Sequence, residues 1–118
     1  MIWVSVALLG GAGAVARFLV DTFVERRAGG LFPWGTLVVN LTGSFALGLL
    51  TGVALHGHVE ALLGGALLGS YTTFSTWMLE TAWLGDSGNP ALGIANLVGS
   101  LAAGLAAAGA GWALGAVL

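Results

Sequence analysis

Gly69-Ser70-Tyr71-Thr72-Thr73-Phe74-Ser75-Thr76 places six hydroxyl side chains in eight residues, in the middle of the apolar segment 62–84. Ser and Thr hydroxyls can bond their own helix backbone, so a few of them inside a membrane helix cost little. Six exceed that need. Gly69 and the β-branched Thr72 and Thr73 disfavour a regular helix here. The run therefore predicts a helix broken at the bilayer midplane. Irregular backbone at that depth is tolerated only where it is buried in protein or lines a polar cavity. A break exposes carbonyl oxygens and helix ends, which are ready ion ligands.

The rest of the chain supplies the hydrophobic setting. It has 118 residues, 58% of them hydrophobic, with 21 Gly, three Arg, no Lys and five acidic residues. Too few polar groups are present to cover a water-soluble globule, and the composition reads as a bundle of membrane helices. No Gly-X-Y period supports a collagen reading. The absence of Cys excludes disulfides and thiolate metal sites. The net charge of −2 gives no footprint for nucleic acid. The first eleven residues lack a basic segment and run on apolar, so they are expected to be part of a span, not a cleaved leader.

Runs of about 20 apolar residues suit the bilayer core. Four are expected, over residues 2–24, 34–55, 62–84 and 92–118, as a single four-span domain. The second opens after Pro33 and ends at His56-Gly57-His58, with both histidines read as solvated. The fourth follows the turn signal Asp86-Ser87-Gly88-Asn89-Pro90. Arg26 and Arg27 are assigned to the first loop. The positive-inside rule then puts that loop in the cytoplasm and both termini outside, although so small a bias also permits insertion both ways. Gly48 with Gly52, Gly104 with Ala108, and Gly111 with Gly115 are small-xxx-small pairs suited to close helix contact.

Polar groups inside spans need partners. Thr36, Asn40 and Ser44 stand at i, i+4 spacing on one face of the second span. A bare amide in hydrocarbon costs roughly 4–8 kcal/mol on the alkane scale. Asn40 reads equally as an interhelical hydrogen bond or as a lining group. Asn96 and Ser100 repeat the spacing in the fourth span, and two such stripes could line a wet path. Arg17 and Asp21 are spaced to pair, or Arg17 can form a basic vestibule that attracts anions. Glu80 is expected to cap or pair near an interface. Phe74 and Trp77, three apart, share a face. No Ser-His-Asp set, carboxylate pair or His cluster is present, so no enzyme is expected.

At this point the residues resemble a known family, the Fluc (CrcB-like) fluoride channels. Gly69 to Trp77 is similar to the family's Gly-x-x-Thr-Thr-Phe-Ser-Thr-Phe signature. Gly35-Thr36, Asn40 and Gly43-Ser44-Phe45 are similar to its second-helix motif. The glycines from Gly10, ending in Arg17-Phe18, resemble its first-helix motif. The resemblance implies an antiparallel, dual-topology dimer with two pores along the subunit interface. It implies passive, fluoride-selective export across the plasma (inner) membrane of a prokaryote, which relieves fluoride toxicity. It also implies a central Na⁺ held by the carbonyls of Gly69 and Thr72 from both subunits. Phe74 matches one of two phenylalanines whose edges meet fluoride, and Trp77 stands where the second is common. Asn40, Ser75 and Thr76 match pore-lining groups. With Thr36 from the second-helix motif, Ser100 and Asn96 extend the polar track, although Tyr is common where Asn96 stands. Arg17 matches a vestibule Arg.

The chemistry is coherent. A strongly hydrated anion needs close donors in place of its water, which hydroxyls and an amide supply. An aromatic edge is positive. The edge of Trp77 includes an indole N–H, a donor strong enough to hold the ion too tightly for conduction. The small charge bias and Trp77 together admit a second reading, in which the antiparallel partner is a paralogous chain. A proton-coupled exporter of cationic drugs would need a carboxylate deep in the first span, where only Asp21, near its end, is found. A third reading is a non-transporting scaffold subunit whose polar groups act only as interhelical glue.

Overall fold

The computed structural model describes residues 2–54 and 57–118. Every regular element among them is helical. Helix α1 is Ile2–Ala28 and α2 is Trp34–Gly52. Helix α3 covers residues 57–71, with a π-helical stretch Ala61–Leu68 between α-helical Gly57–Glu60 and Gly69–Tyr71. Helix α4 is Ser75–Asp86. Helix α5, Pro90–Ala116, contains the π-helical turn Ala95–Gly99. Among the described residues, three uninterrupted helices are long and apolar enough to cross a membrane: α1, α2 and α5. The segment expected as the third of four spans is divided between α3 and α4, and neither piece alone reaches that length.

Few apolar side chains are buried. Val39, Ala66 and Leu84 are, whereas Trp3, Leu8, Phe18, Leu79, Leu105 and Val117 are exposed. An apolar surface around a small interior is what a helix bundle needs when lipid is its solvent. Hydroxyls on these helices mostly fold back on their own backbone: Thr42 Oγ1 donates to Val38 O at 2.7 Å, Thr51 Oγ1 to Leu47 O at 3.0 Å and Ser70 Oγ to Ala66 O at 2.7 Å.

Helices α2 and α5 lie backbone to backbone. A Cβ on Gly48 would run into Ala108 O, and one on Gly111 into Phe45 O. Gly52 faces Trp112 O, and Gly115 faces Leu49 O, in the same way. The small-residue pairs of the two spans therefore form one seam. Gly13 does the same job for α1, because a side chain there would occupy the place of Ser70 Oγ and Leu67 O on α3.

The helix ends follow local chemistry, with one difference from the sequence reading. Arg26 and Arg27 belong to the last turn of α1. Cations are stabilised there by the helix dipole, and Arg27 also lies over the Phe23 ring, 4.6 Å from its centroid. The chain leaves the helix one turn later, at Gly29 and Gly30, whose φ values of 63° and 78° favour glycine. Asn89 N–H closes α4 onto Leu84 O at 2.9 Å across Gly88, φ 84°, and Pro90 starts α5. His58 is exposed, and the reading of His56 and of the end of the second span at residue 55 lies outside the described residues.

The start of α2 is capped from a distance. Gly35 N–H donates to Glu25 Oε1 at 2.9 Å. Glu25→Ala should cost about 1 kcal/mol, as loss of an N-terminal cap does. The expected result is a small drop in melting temperature in detergent, followed by tryptophan fluorescence.

Candidate functional site

The site begins at the non-helical residues 72–74. Thr72 is extended, with φ −77° and ψ 161°. Helix resumes at Ser75, and Thr76 N–H is held by Thr73 Oγ1 at 3.2 Å. What keeps the chain out of the helix is Asn40. Its Nδ2 donates to Thr73 O, and Thr73 N–H donates to its Oδ1, each at 2.9 Å. A primary amide carries a donor and an acceptor side by side, so it pairs with one residue's backbone as a neighbouring β-strand would. The second Nδ2 hydrogen remains for another acceptor. Gly43, one turn on, has no side chain because Thr72 Cγ2 and the Tyr71 ring fill the space. Tyr71 in turn shares a 2.8 Å hydrogen bond with Thr42.

These bonds divert two donors from their helical acceptors. Thr73 N–H would bond Gly69 O in a continuous helix, and Thr76 N–H would bond Thr72 O. Both are used elsewhere. The Gly69 and Thr72 carbonyls thus lose their i+4 donors.

Two cavities meet at Thr73. One, of about 340 Å³, is lined by Asn40, Ser44, Thr72, Phe74, Trp77 and Ser100, with apolar residues of α3 and α5. The other, of about 190 Å³, is lined by Arg17, Asp21, Thr36 and Thr76, with Ala14, Phe18 and Val39. The polar stripe of α2 is therefore shared between them. Thr36, 2% exposed, serves the second, and Asn40 and Ser44 serve the first. Phe74 is 70% exposed on the side of the bundle, and Ser75 beside it is exposed and lines neither cavity. Arg17 and Asp21 do not satisfy each other by hydrogen bonding. Asp21 Oδ1 is buried without a hydrogen-bond partner, against the backbone of Gly35, and Glu80 Oε1 is likewise buried and unpartnered.

Trp77 and Asn96 are in contact. Trp77 Nε1 donates to Asn96 O at 3.0 Å. Asn96, 0% exposed, donates through Nδ2 to Thr81 Oγ1 at 2.8 Å and accepts from Ser100 Oγ at 3.2 Å. It lines neither of the two cavities. The Trp77 ring meets Phe74 edge to face, with centroids 5.7 Å apart and planes at 88°. Two residues central to this geometry were missed as site residues in the sequence. Thr73 meets Asn40 through its backbone, which no side-chain pattern reports. Thr81 was discernible only as the i+4 neighbour of Trp77.

Comparison with known proteins places this geometry. The family of CrcB-like proteins, described also as Camphor Resistance (CrcB), matches residues 4–112. The fluoride-specific ion channel FluC 2 of Mycobacterium tuberculosis (strain ATCC 25618 / H37Rv) is 52% identical over 107 residues, which is 91% of this chain and 85% of the relative. FluC 2 of Mycolicibacterium paratuberculosis is 54% identical, covering 91% and 88%. FluC 1 of Symbiobacterium thermophilum is 45% identical over 121 residues, 98% of each chain. With most of its length matched, and with the broken segment and its amide clamp inside the matched region, the chain belongs to the CrcB-like family.

Proposed function

We propose that the chain is a subunit of a fluoride-selective channel that lets the anion leave the cell passively, across the inner membrane of a bacterium. The observation that carries this reading is the Asn40 clamp. It holds a non-helical, hydroxyl-rich segment between two cavities that each carry polar side chains, in a bundle with many exposed apolar side chains. The names of the relatives supply the ion.

The chain's own residues account for the chemistry. Arg17 in the smaller cavity attracts the anion. Thr36 and Thr76 replace part of its water. Asn40, Ser75 and Ser100 and the edges of Phe74 and Trp77 take over farther along. Beyond Arg17 each contact is a neutral dipole, so the ion is held and released in turn. Phe74 faces out of the single chain, which supports a path completed by a second copy in antiparallel orientation. A paralogous partner is the second reading, supported by relatives whose names are numbered 1 and 2. The diverted carbonyls of Gly69 and Thr72 are neutral oxygen donors of the kind unwound membrane helices offer to sodium. They would hold a structural Na⁺ between the two subunits, where it supplies positive charge that joins the two breaks. A cation exporter is not favoured, because Asp21, in the last third of α1, shares its cavity with the cationic Arg17.

The test uses the purified chain in liposomes loaded with fluoride and chloride, a potassium ionophore to dissipate voltage, and a fluoride electrode outside. Rapid release of fluoride with chloride retained is expected. A folded protein that releases neither ion on its own, and does so only with a second chain, would move the assignment to the paralogous pair. Release of neither under both conditions would end the channel reading.

A further inference from the structure

From the contact between α4 and α5 we infer that Asn96 is a positioning residue for Trp77. It holds the indole N–H on its own carbonyl, so the ring presents carbon edges, and not a strong donor, to the larger cavity. The inference rests on the channel reading for its functional meaning but on geometry for its existence. Trp77 lines the cavity together with Phe74, so an N–H turned into it would be available to an anion. The structure turns that N–H the other way, 3.0 Å from Asn96 O.

Asn96 is built to keep that carbonyl in place. It stands in the π-helical turn Ala95–Gly99. Its side chain is tied on both sides, to Thr81 on α4 and to Ser100 one turn on. The longer 3.5 Å approach of Nδ2 to Trp77 O adds a second link between the same two residues. Its carbonyl also accepts Ser100 N–H, so it has a partner even without the indole. The bond is therefore needed less by Asn96 than by Trp77, whose N–H has no other acceptor among the described residues.

Two measurements test this. The first is a nitrogen–proton spectrum of the purified protein labelled at its five tryptophans, with the Trp77 indole assigned by its absence in Trp77→Phe. In fluoride-free buffer, Asn96→Ala should move the Trp77 indole signal and leave the other four in place. Thr81→Val, which removes the acceptor of the Asn96 amide, should move the same signal and serves if Asn96→Ala does not fold. An unmoved Trp77 signal in a folded variant overturns the inference. The second is fluoride release from liposomes. Asn96→Ala should be about tenfold slower than the unmodified chain, because without the side-chain ties to Thr81 and Ser100 the carbonyl is held less firmly under the indole, and an N–H that can turn to the cavity binds the ion too tightly to release it. Adding Trp77→Phe to Asn96→Ala should restore the rate of Trp77→Phe alone. A double variant no faster than Asn96→Ala would mean that Asn96 is only interhelical glue. If the unmodified chain releases no fluoride, the channel reading fails, and the spectrum still decides whether Asn96 positions Trp77.

Discussion

Asn40→Ala is expected to lower fluoride release by at least about 100-fold while leaving a folded protein. The substitution removes both 2.9 Å bonds to Thr73. It leaves an amide N–H and a carbonyl of the break without partners, at about 1–3 kcal/mol each when buried. The chain has a way to recover that cost. Thr73 N–H can return to Gly69 O and let helix run through residues 72–74. Recovery of the helix closes the junction between the two cavities, so stability is partly regained at the expense of the path. Asn40→Asp sharpens the test. A carboxylate can still accept from Thr73 N–H, but it cannot donate to Thr73 O, and it puts a negative charge beside an anion's route. It too should be inactive. The measurement is release per reconstituted protein, with monodispersity checked by size exclusion. Near-normal release from Asn40→Ala would mean that the clamp is not part of the path. Loss of folding without a conducting remainder would favour interhelical glue as its role.

Gly48→Val and Gly111→Val are expected to prevent recovery of folded protein altogether. Ordinary overpacking costs about 1–3 kcal/mol, because side chains shift to make room. Here the obstruction is main chain. A Cβ on Gly48 comes within 3.0 Å of Trp112 N as well as against Ala108 O, and one on Gly111 within 3.0 Å of Leu49 N as well as against Phe45 O. Neither neighbour can rotate away, so the helices must separate along the whole seam. Gly109→Val is the control, since a side chain there meets nothing within 4 Å. It should give a monodisperse protein with an unchanged melting temperature. If Gly48→Val behaved like Gly109→Val, the close approach of α2 and α5 would be disproved.

Much of this arrangement was legible before the structure was seen, and the reasons differ by residue. The i, i+4 spacing of Thr36, Asn40 and Ser44 is enough to place them on one helix face, because helical period is a local property. The hydroxyl run with Gly69 marks the irregular segment for the same reason. The small-residue pairs identify surfaces of close contact, although not that α2 and α5 are the two that meet. The partner of Asn40 was out of reach, because it is a backbone 33 residues away and leaves no mark in the side-chain pattern. The direction of the Trp77 N–H was likewise hidden. A sequence shows that an indole is present but not which way it turns. Arg26 and Arg27 stand inside α1 and not in the loop that their charge suggests. At a C-terminus the dipole retains such residues in the last turn.

The clamp also carries a consequence for how the protein is made. As long as α3 and α4 are apart from α2, residues 72–74 present main-chain groups to hydrocarbon without partners, at several kcal/mol each. That segment is unstable in the bilayer by itself, except as a continuous helix. Biosynthesis runs in the direction that resolves this. The ribosome delivers Asn40 to the membrane before Thr73, so the newcomer meets its acceptor and donor already in place. A circular permutant that begins at α3 would reverse the order. It should insert this segment first as an unbroken helix, and the break would then have to be opened after α2 arrived.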